Sequence, residues 1–185
     1  MVRPRDRMAE PTIEDGASAW RIARDSRVLD VNSSYSYLLW CRDFAATSVV
    51  ARDEGGEAVA FVTGYLRPEL PGSLVIWQIA VDDHRRGSGL AGAMLDHLTA
   101  RLRSKGVLQQ METTISADND ASHRLFHSFA ARHGASVERE LLFPAGIFPD
   151  AHASEHLYRI GPLAQSAAPS ADTRFPDARR TRSVS

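Results

Sequence analysis

The run Arg86-Gly87-Ser88-Gly89-Leu90-Ala91 carries residues suited to holding an anion. An apolar, β-rich stretch, Leu74–Val81, precedes it and stops at Asp82-Asp83. An amphipathic helical pattern opens behind it at Leu90. A strand that feeds a small-residue loop and then a helix aims unbonded backbone N–H groups at one point. The helix dipole adds positive potential there. Phosphate suits such a point, so the chain is expected to hold a phosphorylated cofactor.

Spacing excludes the common nucleotide loops. No Gly-Lys-Ser or Gly-Lys-Thr occurs, so this is not a P-loop. A dinucleotide fingerprint needs a third glycine and an acidic residue after the next strand. Here Ala91 takes the glycine's place, and the next strand closes on Ile115-Ser116. His123 with His127, and His152 with His156, are spaced like pairs of metal ligands, but each pair lacks a nearby third ligand, so no metal is expected. Cys41 falls on the apolar face of a helical pattern and reads as core, not as a nucleophile.

Alternating elements must position this loop. Trp20–Arg24 suits a short strand, and Ser33–Phe44 a helix with Tyr37, Leu38, Trp40, Cys41 and Phe44 at helical spacing, capped by Asn32 or Ser33. Thr47–Arg52 and Glu57–Leu66 read as strands joined by the turn Asp53-Glu54-Gly55-Gly56. Ser73–Val81 completes an antiparallel meander. Leu90–Ser104 is expected as a helix with Leu90, Met94, Leu95, Leu98 and Leu102 inward, and Leu108–Ile115 as a strand. Asp118–His133 reads as a helix with Ala121, Leu125, Phe126 and Phe129 on its buried side and Gly134 as its stop. Val137–Phe143 and His156–Ile160 close the pattern, separated by Pro144–Ser154, a loop long enough to cover a site. Two β-helix-β connections predict a parallel step in an otherwise antiparallel sheet, hence an α/β (α+β) fold with a mixed sheet flanked by helices.

Composition sets the bounds. The length of 185 residues predicts one domain, expected over 19–160. Residues 1–18 read as a disordered leader without a secretory apolar core, and 161–185 as a disordered, Ala/Ser/Pro/Arg-rich tail. The net charge of −1 gives no bulk attraction to nucleic acid or to an anionic membrane, and no stretch reaches a membrane span. One cysteine permits no internal disulfide, which fits a cytoplasmic protein.

The phosphate loop resembles the acetyl-CoA signature of the GNAT N-acetyltransferases, (Gln/Arg)-x-x-Gly-x-(Gly/Ala), and the element order over 19–160 is similar to that superfamily. Asn119-x-x-Ser122-x-x-Leu125-Phe126 resembles a second family segment, Asn-x-x-Ala-x-x-Leu-Tyr. The resemblance implies that Asn119 and Phe126 flank the cofactor arm. It implies that Arg86, Gly87, Ser88, Gly89, Leu90 and Ala91 hold the diphosphate of acetyl-CoA. Ile79, Ala80 and Val81 would run beside the pantetheine. The family's tyrosine, which protonates the departing thiolate, is replaced by Phe126, so that role is not carried over.

Longer stretches are similar to the L-2,4-diaminobutyrate acetyltransferases of ectoine synthesis. They include Leu29–Phe44, Gly64-Tyr65-Leu66-Arg67-Pro68, Trp77-Gln78-Ile79-Ala80-Val81 and Glu112-Thr113-Thr114-Ile115. That resemblance implies acetylation of the 4-amino group of L-2,4-diaminobutyrate, with no acyl-enzyme, by an enzyme that is a homodimer. Telling the two amines apart requires fixing the α-centre and leaving the γ-nitrogen free. Asp30, Asn32, Ser33 and Tyr35 offer a carboxylate and polar donors for this within six residues, with Trp77 as a wall. A γ-ammonium must lose its proton before it attacks. Glu155, Glu112 and His152 are the expected proton acceptors, in that order. Two alternatives stay open: a GNAT enzyme for another small amine or a peptide N-terminus, and a non-catalytic CoA-binding module.

Overall fold

The computed structural model describes residues 6–27, 29–150 and 152–163. The described strands are β1 (Arg7–Ala9), β2 (Val49–Arg52), β3 (Ala58–Leu66), β4 (Ser73–Val81), β5 (Gln110–Ser116), β6 (Ser136–Phe143) and β7 (Glu155–Gly161). The helices are α1 (Asp15–Ser26), α2 (Ser34–Asp43), α3 (Leu90–Ser104) and α4 (Asp120–His133). The strands form one sheet in the order β1-β2-β3-β4-β5-β7-β6. Only the β4–β5 pairing is parallel among these.

Alternation along the strands builds a core on each face. Val49, Ala51, Ala60 and Val62 join α3 and α4, whereas Val50 and Phe61 join α1 and Tyr37 of α2. Leu90, Met94, Leu95, Leu98 and Leu102 make one buried stripe along α3. Burying such side chains contributes about 1.5–3 kcal/mol each. A side-chain N-cap is worth only about 1 kcal/mol. The stripe therefore holds α3 in place although no side chain caps its first turn.

Four sequence expectations differ from this fold. Trp20–Arg24 is helical, not a strand: Ala19, Ile22, Ala23 and Ser26 form a buried helical stripe that a five-residue window conceals. The supposed leader is ordered from Asp6 onward, since β1 pairs with β2 and α1 starts at Asp15; residues 1–5 lie outside the described residues. The folded part also extends past 160. β7 ends at Gly161, and the buried Leu163 donates its N–H to the Gln109 carbonyl at 2.8 Å, while the rest of the expected tail, 164–185, lies outside the described residues. Finally, of the two expected β-helix-β connections only β4-α3-β5 joins neighbouring strands. β7 inserts between β5 and β6, antiparallel to both, and sends β6 to the edge.

Candidate active site

β4 and β5 pair only from Ser73 opposite Gln110 to Ile76 opposite Thr113. Beyond that point β4 keeps β3 as its partner and leaves its other edge without a strand. A bulge sits at the split. Thr63 faces Gln78 and Gly64 faces Ile76, so Trp77 has no residue opposite it. Bulges re-aim side chains. Here two successive ones turn toward α2: Trp77 stacks on Trp40 with ring centres 4.5 Å apart, and Gln78 accepts the Tyr37 hydroxyl at 3.0 Å.

The glycine loop closes one end of this gap. Gly87 and Gly89 have φ of +70° and +83°, conformations that suit glycine. Ser88 Oγ donates to the Arg85 carbonyl at 2.6 Å, and the buried Arg85 guanidinium pairs with Asp6. The first bond closing α3 runs from Ala93 N–H to Gly89 O at 3.1 Å. The N–H groups before it are therefore unused by the helix and aim outward. A cavity of about 330 Å³ opens in front of them. Its walls are Ile79, Ala80 and Val81 on the strand, every residue from Arg86 to Ala91 on the loop, and Asn119.

Phe126 departs from expectation. It is 2% exposed within the core and is not part of the cavity wall, because it points at the sheet while Ala121, Ser122 and Leu125 of the same helix face the cavity. Ala121, expected on the buried side, is exposed for the same reason. Asn119 has a second duty, accepting the Ser122 N–H at 3.1 Å as the cap of α4. The Arg86 guanidinium is engaged by the Ser26 carbonyl at 3.0 Å and by Asp83 at 2.9 Å.

Across the gap lies a polar cluster. Gln78 Nε2 donates to the Asp30 carbonyl at 2.9 Å, which puts Asp30 on the β4 side. His152 Nε2 lies 3.2 Å from the Asp30 carboxylate and 3.9 Å from Glu155 at the start of β7. Asp30 and His152 thus bridge the mouth of the gap. His152 stacks on Phe148 of the long loop, with ring centres 4.2 Å apart. The Ala153 carbonyl, and then Asp30, hold the His152 imidazole above its ordinary value. Burial pushes the Glu155 carboxyl above the usual carboxylate range, against the pull of His152 and a bond from Thr114. A carboxylate so raised is a better proton acceptor than an ordinary one.

The other expected site residues divide. Trp77 stands at the bulge, beside the gap. Asn32 Nδ2 donates to the Asp30 carbonyl at 3.3 Å, so it shapes the same loop. Ser33 occupies the N-cap position of α2 without making the expected cap; its Oγ meets Ser36 Oγ at 3.1 Å. Tyr35 is 64% exposed on the first turn of α2. Glu112 is not brought to His152 and Glu155. It is 1% exposed and engaged by Arg67 at 3.1 Å, Gln110 at 3.3 Å and Arg159 at 3.5 Å. Glu155 pairs with Ser116, four residues along β5 from Glu112, or about 13 Å at ~3.3 Å per residue.

Burial pushes the Cys41 thiol up to about 11, so it stays protonated. His123 Nδ1 lies 3.0 Å from the Tyr158 hydroxyl, and no three His, Cys, Asp or Glu side chains converge among the described residues. No described helix is long and apolar enough to cross a membrane. Sequence reading missed Ser26, Leu29 and Gln78. A polar residue inside the run Trp77–Val81 was the available signal for the last.

A sequence model of the Acetyltransferase (GNAT) family matches residues 16–131. L-2,4-diaminobutyric acid acetyltransferase of Streptomyces anulatus is 63% identical over 155 residues, covering 83% of this chain and 88% of the relative. The Streptomyces avermitilis enzyme of the same name is 60% identical over 158 residues, covering 85% and 88%. Among solved structures, diaminobutyrate acetyltransferase EctA from Paenibacillus lautus, in complex with its substrate L-2,4-diaminobutyric acid and coenzyme A, superposes with a TM-score of 0.81 at 34% identity, covering 88% of this chain and 98% of that one. A split sheet with a glycine loop at one end and a carboxylate–imidazole cluster across the gap agrees with these matches: the chain belongs to the GNAT acetyltransferase family.

Proposed function

We propose that this chain transfers the acetyl group of acetyl-CoA to the 4-amino group of L-2,4-diaminobutyrate. The observation that carries this reading is a cavity between the glycine loop and the free edge of β4, with Asp30 tied to Gln78 of the same strand and joined through His152 to Glu155. The loop amides from Gly87 to Ala91 bind the diphosphate, and Ile79, Ala80 and Val81 guide the pantetheine along the free edge of β4. Asp30 pairs with the α-ammonium and leaves the γ-amine free. Glu155 accepts a proton from the γ-ammonium. The amine nitrogen then attacks the thioester carbon, and a main-chain N–H of β4 receives the developing oxyanion. As the carbonyl re-forms, the C–S bond breaks and CoA departs as a thiolate, a fair leaving group whose thiol, by analogy with cysteine, has a pKa of about 8.5. The nitrogen gives up its second proton to that thiolate or to water, leaving the neutral amide. The product, N4-acetyl-L-2,4-diaminobutyrate, would feed a cyclising step to ectoine.

The test is purified protein with acetyl-CoA and L-2,4-diaminobutyrate, the acetyl position being read by mass spectrometry or NMR. Acetylation at N4, faster than with lysine or a peptide N-terminus, is expected. Acetylation at N2, or equal rates with all these amines, overturns the assignment. Acetyl-CoA binding without thiol release would mean a binding module.

The reading includes a cytoplasmic homodimer. Edge strand β6 exposes Leu141, Leu142 and Phe143, with Ile147 close behind in the sequence. A second copy covering these residues is the expected arrangement, and sedimentation giving a monomer at micromolar concentration would remove it.

A further inference from the structure

We propose that Gln78 is a positioning residue that gauges the length of the diamine. This inference rests on the reading that Asp30 holds the α-ammonium. Three observations carry it. The Gln78 side chain is buried at 6% exposure with both ends of its amide bonded: Oε1 accepts the Tyr37 hydroxyl at 3.0 Å, and Nε2 donates to the Asp30 carbonyl at 2.9 Å. Its backbone belongs to β4, along which the proposed function lays the pantetheine, with its carbonyl accepting Thr63 Oγ1 at 3.3 Å and the next residue, Ile79, lining the cavity. Asp30 itself sits in a segment without regular structure, and its carboxylate is 87% exposed.

One residue thus joins the two places whose separation the substrate must span. The thioester lies along the Gln78 backbone, and the α-ammonium anchor hangs from the Gln78 side chain. Tyr37, fully buried in α2, fixes the amide from behind. A rigid tie between these places favours a diamine of one length. Without it the Asp30 segment can shift, and a homologue with one more methylene gains relative to the natural length. One methylene in a defined pocket is worth roughly 10–200-fold in kcat/KM.

The experiment compares L-2,4-diaminobutyrate with ornithine in the intact protein and in Gln78→Leu and Tyr37→Phe variants, with Asp30→Ala as the control on the parent reading. The expected result for Gln78→Leu is a fall of about tenfold in the kcat/KM ratio favouring diaminobutyrate. The fall should come from a raised diaminobutyrate KM, with the acetyl-CoA KM within about twofold. Tyr37→Phe keeps the ring in its core and should move the ratio in the same direction by less, so the inference stays testable if Gln78→Leu folds poorly. A residue that merely stabilises the fold would lower activity on both diamines alike, and an unchanged ratio in both variants overturns the proposal. If Asp30→Ala also leaves the diaminobutyrate KM unchanged, the parent reading has failed. If Asp30→Ala raises it while the ratio stays fixed in the other two, the gauge alone has failed.

Discussion

Gly89 offers a direct measure of whether main-chain amides hold the diphosphate. It caps α3 with φ +83°, and a Cβ placed on it would meet nothing within 4 Å. A side chain there therefore costs backbone conformation, not a clash. That cost is about 1–2 kcal/mol for most L-residues, and asparagine tolerates the conformation better. Gly89→Asn and Gly89→Asp are nearly equal in shape, so their difference isolates charge. Two unit charges 4 Å apart interact by about 1 kcal/mol in bulk water and about 4 at an effective dielectric of 20. Gly89 is exposed at the cavity rim, which favours the lower figure. A diphosphate with about two negative charges then implies a penalty of about 2 kcal/mol, or roughly 30-fold in Kd. Calorimetric titration of acetyl-CoA into both variants at low salt reads this ratio. The gap should shrink in 1 M salt, where the screening length falls to about 3 Å. Equal affinities for the Asp and Asn variants at low salt would refute the placement of the diphosphate.

Two further substitutions probe the reacting end. Burial raises the folded-state pKa of Glu155, so its contribution to stability is present below the ordinary carboxyl range and is lost as pH rises through the folded value. Glu155→Gln, neutral at every pH, should hold or raise Tm near pH 7 while lowering kcat by about 10²–10⁴-fold and abolishing the acid limb of the rate profile; a normal kcat would strike Glu155 as the proton acceptor. Phe126→Tyr would place a hydroxyl in the apolar core, lowering stability by about 1–3 kcal/mol without speeding turnover. A faster enzyme with an unchanged melting curve would mean that position 126 reaches the thiolate.

The elements nearest the cofactor were legible along the chain, because each carries its own periodic signal. β4 and α3 lie where the apolar run and the leucine stripe predict them, Ser73–Val81 and Leu90–Ser104. The glycines between them demand positive φ, a local property that glycine advertises. α1 was misread because its stripe begins before Trp20, in a segment whose charge suggested disorder, and β1 because three residues carry too little pattern to announce a strand.

On the amine side sequence reading nominated residue types and could not choose among them. Glu112 and Glu155 look alike in sequence. Glu155 meets His152 as a near neighbour, three residues on, but which carboxylate stands toward the free edge of β4 depends on β7 entering the sheet beside β5, a pairing between segments about 40 residues apart. The same pairing puts Glu155 level with Ser116 and leaves Glu112 between two arginines. Gln78 gained its partners only when a bulge turned it toward α2. Local backbone preference and hydrophobic period thus sufficed for the anion loop and its flanking elements. The proposed proton acceptor and the proposed anchor for the diamine take their places through contacts between groups distant along the chain, the β5–β7 pairing and the bond from Gln78 to Asp30.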